Sequence, residues 1–299
     1  MILNKNLTLP ESLDAERHGL QTDAGHMAFY ADTSAQGRPL VLLHSINASP
    51  TAMEVKPLFD HYRGSRPVYA PELPGFGFSD RSPRDYTPTL FARAVNDFLS
   101  QVPDGAADVL ALSTTAEFIA RAALDNPEHF RSLTLVSPTG MGRRDPPSAK
   151  TQARLKKLFN TPVLSPALYR LLTSRPSIRY FLGLSFQGDV PVELIDQACA
   201  TVRMPGASHA PFDFLSMGMF TPEASDRLYR PLQRPTLVLY DQDPNVSFDL
   251  LETLQRENPN IQSRRIAPTQ GLPHFDEPEK TFRALDEFWR DLPATDAEK

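Results

Sequence analysis

Strand-length apolar runs alternate with segments of helical period over the first 140 residues, and this alternation constrains the fold more than any other feature of the chain. The predicted strands are 39–43, 67–70, 107–112 and 132–136, and the predicted helices are 52–62, 90–99 and 114–124. Within 90–99, apolar residues recur at the spacing of one helix face. This β-α-β rhythm predicts a mostly parallel, doubly wound α/β sheet with helices on both sides.

The rhythm stops near Gly140 and resumes at Pro235. Residues 141–230 have mostly helical patterns and no clear strand, and they are too many for an ordinary loop. The remaining predicted elements are a strand at 235–240, a helix at 246–257, a strand at 261–267 and a helix at 278–290. We therefore expect an α/β core made of residues 1–140 and 231–299, with a helical cap over residues 141–230.

Composition and charge exclude several classes of protein. The formal net charge of −5 argues against general nucleic-acid binding, which favours a basic surface. The N-terminus lacks the apolar core of a signal peptide, and no apolar run reaches the ~18 residues of a membrane span. The single cysteine, Cys199, rules out an intrachain disulfide and is expected to be buried. We expect a cytoplasmic protein, and in the absence of a metal-ligand cluster or phosphate loop in the sequence we expect no cofactor.

Ser113 lies where an apolar strand turns sharply into a helix, among the small residues of Leu112-Ser113-Thr114-Thr115. A serine hydroxyl is a poor nucleophile near pH 7, and it needs a nearby base and donors for the developing oxyanion. A structural alternative is that Thr114 and Glu117 form a capping box and that Ser113 only leads into the helix.

Four motifs together resemble the α/β-hydrolase superfamily over about residues 25–291. They are Leu42-Leu43-His44-Ser45, Glu72-Leu73-Pro74-Gly75-Phe76-Gly77-Phe78-Ser79, the turn around Ser113, and Leu237-Val238-Leu239-Tyr240-Asp241-Gln242-Asp243-Pro244. The turn resembles the nucleophile elbow G-x-S-x-G, with Ala111 and Thr115 in place of its glycines. The predicted helical cap also lies where this family places its cap.

The resemblance implies roles for particular residues. Ser113 would be the nucleophile, Asp243 the acid that orients a histidine, and the backbone amides of Ile46 and Thr114 the oxyanion hole. Asp243 is also in a turn-forming sequence that favours an Asx-turn, and Asp241 is an alternative acid.

The base is the weakest part of the match. The family's histidine position falls on Gly271 in the segment Gln270-Gly271-Leu272-Pro273-His274. Of the seven histidines, only His274 shares the loop in which the base is expected, and three residues span up to about 10 Å. We therefore predict His274 as the base. The alternative is that His274 caps the helix that begins near Pro278.

These residues predict a serine hydrolase that acts on a small to medium hydrophobic ester, thioester or related acyl compound. One alternative is a lyase or C–C bond hydrolase with His274 as acid and base, and another is a catalytically weakened binding or scaffold protein. Apolar residues of 141–230 either line a substrate tunnel or pack the helices of that segment. The basic segment from Arg143 to Lys157 predicts a solvated helix face, with an anionic headgroup, a carrier or a membrane surface as alternatives.

Overall fold

The computed structural model describes residues 9–161 and 164–293. Eight strands form one sheet in the order β1-β2-β4-β3-β5-β6-β7-β8. The strands are β1 (Glu16–Thr22), β2 (Gly25–Asp32), β3 (Leu40–Leu43), β4 (Val68–Pro71), β5 (Ala107–Leu112), β6 (Phe130–Val136), β7 (Thr236–Tyr240) and β8 (Ile261–Arg265). From β4 to β8 every pairing is parallel, whereas β2 runs antiparallel to β1 and β4. The predicted α/β sheet is therefore confirmed.

Helices cover both faces of this sheet, which explains why β3, β5 and β6 are buried along their whole length. The helices are α1 (Lys56–Tyr62), α2 (Pro88–Gln101), α3 (Thr115–Asp125), α4 (Ala149–Phe159), α5 (Leu164–Leu172), α6 (Arg175–Gly183), α7 (Val192–Thr201), α8 (His209–Leu215), α9 (Leu251–Glu257), α10 (Pro273–Asp276) and α11 (Pro278–Asp291). One core lies between the sheet and α2 and α3, where Phe91 stacks on Phe118. The second lies between the sheet and α1 and α11, and contains Tyr62 and Trp289.

The first hairpin and helix α9 differ from the sequence-based expectation. The hairpin of β1 and β2 was not predicted, because β1 has one buried residue and the buried run of β2 is only four residues long. Helix α9 begins at Leu251 and not at residue 246. The Asp243 carboxylate accepts hydrogen bonds from the amides of Asn245 and Val246, and this turn delays the helix.

All helices from α4 to α8 lie between β6 and β7, and the described residues of 137–235 contain no strand. We call residues 141–230 the helical insertion; their division from the core as a separate domain remains a prediction. Within the described residues, no helix has both the length and the hydropathy needed to cross a bilayer.

A buried ionic network closes the edge of the sheet where β5 begins. Asp108 accepts hydrogen bonds from Arg66, Arg131 and Ser132, and Arg131 also donates to the Trp289 carbonyl. The network joins β5, β6 and α11 at the edge opposite to Ser113. One end of β5 therefore carries a buried ionic network, and the other end leads into Ser113.

Candidate active site

Ser113 occupies a strained backbone position at the junction of β5 and α3. Its φ is 51°, in the left-handed region that non-glycine residues avoid. The Ser113 amide donates to the Val136 carbonyl (2.8 Å), and its carbonyl accepts from the Ala116 amide (3.1 Å). Strain of about 1–3 kcal/mol persists only where surrounding contacts enforce it, and it is common at functional sites. No hydrogen bond to the Ser113 hydroxyl forms among the described residues.

The two residues that replace the elbow glycines are both accommodated. Ala111 is a buried residue of β5, paired with Leu43 of β3. Thr115 is fully buried, and its hydroxyl donates to the His44 carbonyl at 2.7 Å. The added threonine therefore ties the start of α3 to the loop after β3.

The predicted alternative, a capping box, does not form. The Thr114 side chain makes no capping hydrogen bond at the start of α3. The Glu117 carboxylate instead accepts hydrogen bonds from the Thr139 hydroxyl and from the Thr221 amide (2.7 Å). Glu117 thus connects α3 with the loop after β6 and the helical insertion.

A buried carboxylate shapes the loop that carries Ile46. Glu54 accepts hydrogen bonds from the Ser45 amide (2.8 Å) and the Asn47 side-chain amide (2.7 Å), and burial raises the pKa of its carboxyl. The Ile46 side chain is buried, so this residue presents only its backbone. Among the described residues, neither the Ile46 nor the Thr114 amide has a hydrogen-bond acceptor. Both are therefore available as the oxyanion donors that the sequence predicts.

Both ring nitrogens of His44 have hydrogen-bond partners, which suit a neutral ring with its proton on Nδ1. Its Nδ1 donates to the Ser45 carbonyl at 2.7 Å, and its Nε2 accepts from the Leu73 amide at 3.0 Å. Burial lowers the pKa of His44 to about 4. His44 thus joins the loop after β3 to the turn after β4.

Residues 72–79, one of the four sequence motifs, form the turn after β4. The Glu72 side chain is fully buried and accepts hydrogen bonds from the amides of Phe78 (2.6 Å) and Ala52 (3.3 Å). The Ser79 hydroxyl donates to the Glu72 carbonyl at 2.5 Å. The glutamate in place of the family's aspartate thus fixes the turn from within.

The Asp243 carboxylate forms the expected Asx-turn with one oxygen and has its other oxygen near residue 271. Its Oδ1 accepts from the amides of Asn245 (2.8 Å) and Val246 (3.1 Å), which is an Asx-turn. Its Oδ2 lies 3.0 Å from the place where a Cβ on Gly271 would stand. Burial raises the pKa of Asp243 to about 6, and the hydrogen bonds from the two amides oppose this shift. The carboxylate is therefore fixed with one oxygen towards residue 271.

Asp241, the alternative acid, is engaged elsewhere. It accepts hydrogen bonds from the Arg265 side chain (2.7 Å) and the Thr269 amide (2.9 Å). Burial alone would raise the pKa of Asp241, but these two donors outweigh burial and lower it. Asp241 thus fixes β8 and its following loop against β7.

The structure does not bring His274 together with Ser113 or Asp243. His274 is 1% exposed, and its Nε2 donates to the Glu54 carbonyl at 2.7 Å. Its Nδ1 is buried without a partner, and burial lowers the pKa of the ring to about 4. This position gives the predicted role of His274 as base no support: helix α10 carries the ring into the core, where it supports the segment that holds the Ile46 loop.

Three hydroxyl or carboxyl groups beside the site were missed by sequence reasoning. Ser137 follows β6 with φ 43°, next to Ser113, and is buried close to Asp243 without completing a hydrogen bond. Ser185 of the helical insertion has its Cβ 3.6 Å from the Cβ position of Gly271. Asp276 accepts from the amides of Gln187 (3.1 Å) and Gln270 (3.3 Å). A serine directly after a buried strand is the one signal that was available for Ser137.

The site therefore has two halves along the carboxyl edge of the sheet. The nucleophile half consists of residues 44–47 and 113–115, and the acid half consists of Ser137, Asp243 and Gly271. A cavity of about 830 Å³ opens next to the acid half, lined among others by Glu117, Arg143, Phe220 and Val246. Ser113 does not line this cavity. In the described chain, no three His, Cys, Asp or Glu side chains are grouped so that they could hold a metal ion.

The model of the alpha/beta hydrolase family matches residues 40–284, which is most of the chain. The chain therefore belongs to the α/β-hydrolase family. No curated protein sequence matches it significantly.

Several solved structures are similar to this chain in fold at low sequence identity. A thermophilic esterase from Thermogutta terrifontis is 20% identical with a TM-score of 0.73, over 94% of this chain and 100% of that one. A membrane phospholipase A, described as a bacterial virulence factor, is 19% identical with a TM-score of 0.72, over 93% and 86%. The N-formylmaleamic acid deformylase of Pseudomonas putida S16 is 16% identical with a TM-score of 0.68, over 90% and 100%.

Proposed function

We propose that this protein is a hydrolase of hydrophobic esters, thioesters or related acyl compounds, with Ser113 as its nucleophile. The observation that carries the proposal is the positive φ of Ser113 at the end of β5. In a nucleophile elbow, such strain exposes the serine hydroxyl at the end of a strand, next to a helix N-terminus whose dipole favours negative charge.

In this proposal the Ile46 and Thr114 amides stabilise the oxyanion formed when the Ser113 oxygen bonds to the acyl carbon. Donors fixed before the reaction are worth most, since they need no reorganisation as the charge develops. The fixing contacts are the Thr115 hydrogen bond to the His44 carbonyl and the Glu54 hydrogen bond to the Ser45 amide.

The proton of Ser113 needs an acceptor other than His274. We assign this role to Asp243, acting through a water molecule beside Gly271. The Ser113 proton passes to the water, which gives a proton to the carboxylate, and the leaving alcohol or thiol recovers a proton from the same relay. A pKa of about 6 keeps Asp243 mostly ionised at pH 7 and basic enough to act. A second water then cleaves the acyl-enzyme by the reverse path.

The helical insertion is proposed to be the cap that binds the acyl group. Its buried aromatic residues include Phe186 and Phe212, and Ser185 approaches the acid half directly. Solved relatives of the same fold are described as an esterase and a phospholipase, which supports acyl substrates.

The second candidate function is binding of an acyl compound without turnover. Gly271 favours it, because a side-chain base is missing where the acid points. The lyase or C–C hydrolase alternative required His274 as acid and base, and the buried position of that ring gives it no support.

A fluorophosphonate probe tests the proposal, because it reacts only with an activated serine. We expect slow labelling of Ser113, identified by peptide mass spectrometry, and none in Ser113→Ala. Ser100→Ala, which changes an exposed serine of α2 away from the site, is the control, and labelling of Ser113 should persist in it. A folded protein with no label on Ser113 and no turnover of p-nitrophenyl acyl esters would contradict hydrolysis and favour binding.

A further inference from the structure

The first half of the helical insertion carries a charge opposite to that of the whole protein. Residues 142–188 contain nine Lys or Arg and a single acidic residue, Asp145, in a chain whose formal net charge is −5. Positive charge is thus concentrated in one sixth of the sequence, and the rest of the chain is strongly acidic. A field of this kind attracts an anionic partner to one face of the molecule.

Helix α4 separates its cations into two faces. Lys156 points towards the rest of the protein and pairs with Asp85 and Asp213 at 2.7 Å each. Lys150, Arg154 and Lys157 follow each other at i, i+4 and i+7, which places them on one helix face. All three are exposed, and none forms an ion pair with a described residue. The outer face of α4 is therefore positive and unneutralised.

Helices α4, α5 and α6 each have an exposed apolar residue directly after a basic residue in the chain. The pairs are Lys157-Leu158 on α4, Arg170-Leu171 on α5 and Arg179-Tyr180 on α6. Leu171 is 68% exposed and Tyr180 is 64% exposed, and Phe181 follows Tyr180 in the chain. Within the described residues, every exposed large apolar side chain lies in the helical insertion.

The three helices are neighbours in space, because α4 packs against α5 and α5 against α6. We call their exposed basic and apolar residues the basic helical surface. Leucine and tyrosine flanked by Lys or Arg are the residues with which a helix lies in the headgroup region of a membrane, the apolar groups below and the cations at the phosphates. A face of separate, protruding apolar side chains fits a fluid lipid surface better than the groove of a folded protein.

We propose that the basic helical surface binds the surface of an anionic lipid membrane. The membrane association is reversible and electrostatic in its first step, and Leu171 and Tyr180 then enter the interface. This surface is separate from Ser113, so the inference does not depend on the proposed hydrolysis.

Sedimentation with lipid vesicles tests the inference on the full-length protein. We expect binding to vesicles that contain phosphatidylglycerol, weak binding to pure phosphatidylcholine, and release at about 0.5 M salt, where charges are screened within a few ångström. The triple variant Lys150→Glu, Arg154→Glu, Lys157→Glu should lower the affinity by at least about tenfold. Leu171→Ser with Tyr180→Ser should lower it as well, while leaving the charge unchanged.

The matched control is the triple variant Arg227→Glu, Arg283→Glu, Arg290→Glu, which makes the same change in charge at exposed positions outside the basic helical surface. It should keep its binding, and circular dichroism should show that all variants are folded. Equal loss of binding in both triple variants would overturn the inference, because only net charge would then matter. Wild-type protein that does not bind anionic vesicles, or that binds only an acidic protein, would overturn it too.

Discussion

The nucleophile half and the acid half of the site lie along one edge of the same sheet, but they are completed to different degrees. In the nucleophile half, the strained Ser113, two free amides and the Thr115 and Glu54 hydrogen bonds form a finished arrangement. In the acid half, Asp243 is oriented by two amides towards a residue that has no side chain. The difference is consistent with the proposed function, in which the fixed amides beside Ser113 stabilise the oxyanion and a water beside Gly271 takes the place of a histidine side chain.

Added imidazole gives the largest effect that can separate the halves. An imidazole beside Gly271 would accept a hydrogen bond from Ser113 and donate one to Asp243. We expect fluorophosphonate labelling of Ser113 to become about 100-fold faster, the usual contribution of a positioned general base. Asp243→Asn should lose most of this gain. Gly271→Ala should lose it too, because its Cβ would stand 3.0 Å from Asp243 Oδ2. No acceleration in the wild-type protein would contradict the proposal that the space beside Gly271 lies between Ser113 and Asp243.

The stability of the fold in acid tests whether His274 is a buried structural residue that belongs to neither half. Burial lowers its pKa from 6.5 to about 4, so below pH 6.5 the unfolded chain binds a proton that the folded protein does not. Protons therefore favour unfolding between pH 6.5 and 4, and this costs about 3 kcal/mol by linkage. Urea titrations should show that His274→Gln, which retains a donor for the Glu54 carbonyl, lacks this part of the loss. Parallel curves for the two proteins would mean that the ring is exposed and free to act as a base.

The pH dependence of Ser113 labelling tests the acid half by itself. The Asp243 carboxylate must be ionised to accept a proton, and burial raises its pKa to about 6. Labelling should rise with pH, by about tenfold per unit below this value, and level off above it. Labelling of Asp243→Asn should be slow and should not show this rise with pH. The same rise in Asp243→Asn would assign the titration to another group.

The smallest expected effect concerns the tie between the two loops of the nucleophile half. Thr115→Val keeps the shape but leaves the buried His44 carbonyl without its donor, at a cost of about 1 kcal/mol in the free energy of unfolding. Labelling of Ser113 should also slow, since the two oxyanion amides lose a common support. Thr115→Ser retains the hydroxyl and should behave like the wild type. A Val variant with normal stability and labelling would show that the tie is dispensable.

The sequence predicted most of the core, because buried parallel strands leave a strong signal in apolar runs such as 107–112. The strands of the first hairpin have a weaker signal and were missed, because β1 has one buried residue and the buried run of β2 covers only residues 27–30. The roles of Thr115 and Glu54 were hidden for another reason: each depends on a partner distant in the chain, the His44 carbonyl or the Ser45 amide. The burial of His274 was not predicted, because spacing along the chain gives the reach of a loop but not its direction. The cytoplasmic location and the assignment of Ser113, Asp243, Ile46 and Thr114 as working groups stay predictions.

Asp276 connects the helical insertion with the loop that carries Gly271. Its carboxylate holds the amide of Gln187 in the helical insertion and the amide of Gln270 next to Gly271. We therefore expect a tilt of the insertion to displace the loop that faces Asp243 as well. Hydrogen exchange should then show similar protection of the Gln187 and Gln270 amides, because both depend on the same carboxylate.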